Sequence, residues 1–180
     1  MPSSIPKARF SARDITVFAT LSAMMFLSWV GLQWAPNVHP LALFIAAATL
    51  TYRGRALLPL YGYVLLAGVY SGFSMWWVPY LYIWLPLWGA FMLLGRFQLA
   101  VTVKAPFYMI VCGLHGLSFG VLYAPMQMIL FGLSFRAVLA WIVAGLPFDI
   151  IHAAGNFAAG SLVVPLALLL KRLESGQFHG

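Results

Sequence analysis

Long apolar runs separated by short polar gaps dominate the hydrophobic pattern of this chain. Proline, glycine or arginine marks the gaps, which contain "APNVHP", "RGR", "MWWVPY" and "RFQLAVTVK". A helix that crosses a bilayer needs ~20 mostly apolar residues. The pattern therefore predicts an all-α membrane protein with six transmembrane helices in one integral membrane domain, residues 1–180. The predicted spans are approximately residues 15–34, 40–52, 56–74, 78–95, 105–131 and 147–170.

The last apolar run, Arg136 to Leu170, is too long for one simple span at ~1.5 Å of rise per residue. Pro147 suits the first turn of a helix, because a proline there has no N–H whose partner is lost. We therefore expect a short interfacial segment, residues 135–145, before a sixth helix that begins at Pro147.

Composition excludes a soluble domain. The chain is 63% hydrophobic and 7% charged, with a mean hydropathy of +0.95, whereas soluble domains carry ~25% charged residues. The net charge of +7 comes from Lys and Arg in the gaps, where such residues orient a membrane chain, so no nucleic-acid partner is expected. The single cysteine, Cys112, excludes an internal disulfide and a multi-cysteine metal site. No cleavage signal follows the first run, which we interpret as a retained helix.

The basic residues also predict the orientation. With six spans, nearly all of them fall on one side of the membrane, which the positive-inside rule makes cytoplasmic. Both termini are then expected in the cytoplasm, and Arg136 is the exception. The residues on the cytoplasmic side are Lys7, Arg9, Arg13, Arg53, Arg55, Arg96, Lys104, Lys171 and Arg172.

The gaps on the other side are aromatic instead. Two interpretations stay open: an aromatic belt at the headgroup level, or rings that line an outward-facing pocket. The residues concerned are Trp34, Trp76, Trp77, Tyr80, Tyr82 and Trp84.

Three polar residues interrupt the last apolar run. Asp149, His152 and Asn156 are spaced i, i+3 and i+7, which puts them on one face of a helix. An acidic side chain at mid-bilayer costs roughly 2.5–3.5 kcal/mol and usually faces a cavity. We favour the wall of an outward-opening pocket. The alternative is a helix-capping Asp149 with a His–Asn pair that joins two helices.

The fifth span offers further candidates within "CGLHGLSFGVLYAP". Its glycines predict a side narrow enough for a close helix neighbour. Tyr123 is expected at the level of His152, and His115 lies deeper, as either a packing residue or a ligand-binding one. The residues of interest are His115, Ser118, Tyr123, Gly113, Gly116 and Gly120.

Catalytic motifs are absent from the sequence. It has no Gly-x-Ser-x-Gly, no His-Glu-x-x-His and no phosphate-binding glycine loop with lysine. We therefore expect no enzyme activity, no cofactor and no ATP hydrolysis by this chain itself. A weaker alternative is an intramembrane metal-dependent enzyme that uses His115, His152 and Asp149.

Two stretches resemble the substrate-binding S components of energy-coupling factor (ECF) vitamin transporters. "ATLSA" in the first span is similar to that family's Ala-x-x-x-Ala motif, met here by Ala19 and Ala23. The ending is similar to an uncharacterised subset of S components with a Gly-x-Pro-Phe-Asp-x-x-His-x-x-x-Asn pattern. This chain meets that pattern at Gly145, Pro147, Phe148, Asp149, His152 and Asn156.

The resemblance implies a binding subunit in a prokaryotic cytoplasmic membrane. Its partners would be a coupling (T) membrane protein, docked at Ala19 and Ala23, and two ATP-binding-cassette ATPases. Its ligand would be a small vitamin-like solute, neutral or cationic, held near the outer face. The alternative is a non-transporting scaffold similar to rod-shape morphogenesis proteins. The candidate substrate-binding residues are Asp149, His152, Asn156, Tyr123, His115, Trp76, Trp77, Tyr80 and Trp34.

Overall fold

A computed structural model describes residues 10–97 and 100–175. All regular secondary structure in these two ranges is helical. The α-helices are α1 Ala12–Gly31, α2 Leu41–Tyr52, α3 Leu57–Ser71, α4 Leu85–Leu94, α5 Val101–Leu117, α6 Phe119–Phe131, α7 Phe135–Gly160 and α8 Val163–Ser175. Short 3-10 helices lie at Arg53–Ala56 and Val78–Leu81.

Four helical stretches are long and apolar enough to cross a membrane: Ala12–Gly31, Leu41–Ser71, Thr102–Phe131 and Phe135–Gly160. The apolar stretch Val78–Leu94 is shorter. The prediction of an all-helical chain with helices suited to a membrane is confirmed at this level.

The chain reverses direction at Arg53, inside the second of these stretches. An ion pair of 2.8 Å joins Asp14 to Arg55, and the Ser22 hydroxyl donates to the Pro59 carbonyl at 3.1 Å. In the second of these contacts both partners come later in the sequence than in the first, so α1 and α3 run parallel. Helix α2 therefore returns antiparallel to both, and the turn is made where Arg53 adopts a φ of 56°. We call this end of the bundle, with Arg53 and Arg55, the Arg53 end.

Helix α2 is the centre of the bundle. All residues from Leu41 to Thr49 are buried, and α1, α4, α7 and α8 surround the helix. Its 12 residues would be short for a lipid-exposed span at ~1.5 Å per residue. Because protein encloses α2, its backbone ends need not reach both headgroup layers.

Glycines bring α5 against α7. A Cβ on Gly116 would lie 2.8 Å from the Ala153 Cα, and one on Gly160 would lie 2.7 Å from the Met109 Cα. These pairs show an antiparallel contact at backbone distance. The prediction that the glycine side of the fifth span admits a close neighbour is confirmed.

The predicted break at Pro147 is wrong. A single helix, α7, runs from Phe135 to Gly160 with Pro147 inside it, so residues 135–145 are not a separate segment. Ser134 caps its start by accepting from the Ala137 N–H at 3.3 Å. An internal proline removes one helical hydrogen bond, which helices at membrane depth tolerate. The real interruption follows Gly160, before α8. The fifth predicted span is likewise two helices, α5 and α6, that meet at Ser118.

Candidate functional site

The polar stripe of α7 faces the interior of the bundle. Asp149 is 6% exposed, His152 2% and Asn156 1%. The residues beside Asp149, Phe148 and Ile150, are instead 55% and 58% exposed. The apolar side of α7 is therefore the exposed one, and the three polar residues point toward α2 and the α5–α6 junction.

Asp149 has two roles in the structure. Its Oδ2 accepts a hydrogen bond from the Gly120 backbone N–H at 3.1 Å, in the first turn of α6. A carboxylate at this place satisfies a free N–H and opposes the positive end of the helix dipole. Asp149 also lines a cavity. Asp149 therefore does not cap its own helix, whose N-cap is Ser134; it binds an N–H of α6 and lines a cavity.

Two neighbouring cavities open beside the stripe. The Asp149 cavity has a volume of about 410 Å³, and the His39 cavity one of about 310 Å³. Asn37 and Phe119 line both. Each volume falls within the ~300–1,000 Å³ of small-molecule sites. The Asp149 cavity is lined by Asn37, Phe119, Gly120, Tyr123, Trp141, Ala144, Gly145, Phe148 and Asp149.

A group of histidines lies behind these cavities. The ring centroids of His39 and His152 are 4.6 Å apart, and Phe119 packs on His152 at 4.8 Å. His115 stacks on Trp84 at 5.6 Å. Trp84 in turn meets His39 edge-on at 6.4 Å. Two of the imidazoles, those of His39 and His115, therefore contact one indole, and His152 joins the group through His39. We call His39, His115, His152, Trp84 and Asn156 the histidine cluster.

His39 is the functional candidate that the sequence analysis missed. It belongs to "APNVHP", which we interpreted only as a helix break between the first two spans. The structure folds this connection inward, so that His39 touches His152 of α7. A titratable side chain between two prolines, in a gap next to an aromatic stretch, was the available signal.

Tyr123 and two of the predicted aromatics lie around the cavities. The Tyr123 hydroxyl donates to the Trp76 carbonyl at 2.7 Å, and Tyr123 lines the Asp149 cavity. Tyr80 lines the His39 cavity. The Trp76 ring stacks on Trp29, another residue that lines the His39 cavity, so Trp76 supports the wall from behind.

The remaining predicted residues are placed differently. Trp77 donates from Nε1 to the Val64 carbonyl at 2.8 Å, which ties the loop after α3 back onto that helix. Trp34 is 81% exposed and lines neither cavity. His115 is buried, with its Nε2 at 2.9 Å from the Ile83 carbonyl. In residues 10–97 and 100–175, no three His, Cys, Asp or Glu residues are grouped so as to hold a metal ion.

The predicted docking residues lie on an outer face of α1. Ala19 is exposed and Ala23 half-buried, whereas Phe18, Leu21 and Met25 are buried against the bundle. This face therefore leaves room for another helix to approach.

Comparisons with known proteins identify no relative: no family model, no curated protein and no solved structure matches this chain.

Acid is expected to destabilise the fold through His39, which lies outside both flanking spans. Burial lowers the pKa of His39 from 6.5 to about 4. Between these values the unfolded chain binds a proton that the folded chain does not, so the free energy of unfolding falls as the pH drops from 6.5 to 4. The full effect is about 3 kcal/mol at ~1.4 kcal/mol per pKa unit. Thermal midpoints measured in detergent across this range check it. The variant His39→Asn should show a flatter profile, and an unchanged profile would refute the assignment to His39.

Proposed function

We propose that this protein is the membrane-embedded, high-affinity binding subunit of an ECF-type importer. It captures a small, vitamin-like solute from outside, and partner subunits that hydrolyse ATP drive the uptake. The observation that carries this proposal is the buried polar stripe, whose Asp149 lines one cavity of ligand size and whose His152 contacts His39 in the wall of the neighbouring one. A helix kept only for packing has no need of a carboxylate, an imidazole and an amide on its inner face.

The proposed topology has six crossings, with both termini in the cytoplasm of a prokaryote. The reversal at Arg53 supports two crossings within Leu41–Ser71. Lys104 and Lys171 line one depression together with Leu50 and Gly95, and the Arg53 guanidinium lies against Gly95. These basic residues therefore gather at the Arg53 end, as the positive-inside rule requires of a cytoplasmic face. Lys7 and Arg9 lie outside the described residues.

The cavities then face outward. Asn37 and His39 belong to the connection between α1 and α2, at the end opposite to Arg53. A solute entering there meets Asp149, whose carboxylate accepts hydrogen bonds from a donor or a cationic group. His152 and Asn156 fix its orientation, and the surrounding rings of Phe119, Tyr80 and Trp141 pack on a flat body.

The partner subunits are a T membrane protein and two ATP-binding-cassette ATPases. We expect affinity-tagged protein to retain them when purified from native membranes. Because Ala19 is exposed and Ala23 only half-buried, the double variant Ala19→Leu, Ala23→Leu should keep its fold and retain at least tenfold less of each partner subunit. Quantitative mass spectrometry of the captured proteins measures this.

The matched control is the variant Ala140→Leu, which changes an exposed alanine of α7. This variant should retain the partner subunits. Undiminished capture by the double variant would show that α1 is not the docking face. Capture of cell-wall synthesis proteins in place of ATPases would favour the scaffold alternative and contradict the proposed function.

A further inference from the structure

The histidine cluster and the neighbouring Tyr63 contain many buried polar atoms that are not hydrogen-bonded. Within the described part of the chain, no partner is found for the following atoms: His39 Nδ1, Tyr63 Oη, Trp84 Nε1, His115 Nδ1, His152 Nε2, and both Nδ2 and Oδ1 of Asn156. Native proteins pair the large majority of buried polar atoms, and an unpaired one costs about 1–3 kcal/mol. Such atoms gathered at one place are typical of a site that binds something.

These atoms belong to one continuous region. His39 contacts His152, and Trp84 contacts His39, as described above, while Tyr63 meets Trp84 edge-on at 6.3 Å. Asn156 lies one helical turn beyond His152 on the same face of α7. The region adjoins the His39 cavity through His39, which is part of the cavity wall.

We propose that His39, His152 and Asn156 form an inner subsite that binds an uncharged ring edge carrying an N–H and a C=O side by side. The inference rests on the proposed function and names the chemistry of the ligand end that enters deepest. Asn156 presents an amide donor and an amide acceptor next to each other, which complement a lactam or cyclic imide edge. A neutral imidazole offers one donor and one acceptor. His39 and His152 can therefore pair with the polar atoms of the ligand ring on either side of that N–H and C=O.

The lack of charged side chains among the described residues around the inner subsite excludes an ionic group of the ligand there. The described lining of the His39 cavity contains no Lys, Arg, Asp or Glu, so a carboxylate or phosphate would be buried without a counter-charge. The pKa of His39, lowered by burial to about 4, leaves that imidazole neutral at pH 7. Asp149 lies about one helical turn from His152, toward the end of the bundle opposite to Arg53. There it can meet a donor or cationic group on the other end of the solute. The rings of Trp84, Phe119 and Tyr80 enclose a flat group.

Uracil is a suitable probe, because it is a small uncharged ring with adjacent N–H and C=O groups, and 1,3-dimethyluracil is the matched probe without the donors. Ligand-detected NMR with the full chain in detergent should show saturable binding of uracil and at least tenfold weaker binding of 1,3-dimethyluracil. His39→Phe and Asn156→Leu should each weaken uracil binding at least tenfold. The control variant is Ser161→Ala, because the exposed Ser161 hydroxyl donates to the Ala158 carbonyl, away from the subsite. This variant should bind uracil as the native chain does.

Circular dichroism and gel filtration show whether each subsite variant folds. If one of His39→Phe and Asn156→Leu fails to fold, the other still tests the subsite. Equal binding of both probes, wild-type uracil binding by a folded variant, or no binding of uracil by the native chain would each overturn the inner subsite. If a solute lacking such an edge co-purifies with the native chain, the subsite chemistry is wrong and the proposed binding function stands. If no solute is retained either, the proposed function fails as well.

Discussion

Gly116→Ala is expected to destabilise the protein strongly, although it adds only one methyl group. A Cβ at this position would lie 2.8 Å from both the Cα and the N of Ala153, and 2.9 Å from the His152 carbonyl carbon. These are backbone atoms, so no side chain can rotate out of the way, and α5 must move away from α7. Overpacking of this kind costs about 1–3 kcal/mol or more. Thermal unfolding in detergent, followed by tryptophan fluorescence, measures the loss.

The matched control is Gly89→Ala on α4. Nothing lies within 4 Å of a Cβ built on Gly89, and alanine at an open helical position stabilises by about 0.4–1 kcal/mol. The two variants add the same methyl group to a helix and should shift the midpoint in opposite directions. Equal midpoints for both would mean that α5 and α7 do not approach as closely as described.

Asn156→Leu is expected to abolish solute binding and raise thermal stability. The residue is 1% exposed, and neither its Nδ2 nor its Oδ1 has a partner within the described residues. Removing two unpaired buried atoms relieves about 1–3 kcal/mol, since leucine has a similar size. The same change removes the donor and acceptor that orient the solute, so we expect at least a hundredfold loss of affinity. Thermal midpoints and retention of the co-purified solute are the two readouts.

Thr49→Val gives the contrast. Thr49 is equally buried, but its hydroxyl donates to the Ile45 carbonyl at 2.6 Å, so its replacement should neither stabilise the fold nor affect solute retention. If Asn156→Leu lowers the midpoint and leaves retention intact, the amide is a structural group and the site lies elsewhere.

The sequence predicted the parts of this structure that depend on local pattern. The i, i+3, i+7 spacing of Asp149, His152 and Asn156 was enough to place them on one face, because helical periodicity is a local property. The second apolar run predicted a helix over residues 40–52, and α2 occupies Leu41–Tyr52. The glycines of the fifth span predicted a close helix neighbour, which the structure shows to be α7.

The parts that depend on tertiary packing could not be predicted. Pro147 fits a helix start better than a helix interior in sequence terms, yet α7 begins at the cap on Ser134 and tolerates the proline inside it. His39 is distant in sequence from His152, and only the inward fold of the 32–40 connection brings them together. Trp34 and Tyr80 come from similar aromatic gaps, yet the first is exposed and the second lines a cavity. Composition does not distinguish the two.

The most direct test of the binding function is the mass-spectrometric identification of small molecules that co-purify with the protein in detergent. The native chain is compared with Asp149→Ala, and with Asp149→Asn, which keeps an acceptor for the Gly120 N–H without the charge. We predict one vitamin-like compound, retained by the native chain and lost by Asp149→Ala. An empty native preparation that also shows no thermal shift across a vitamin panel would contradict the proposed binding function.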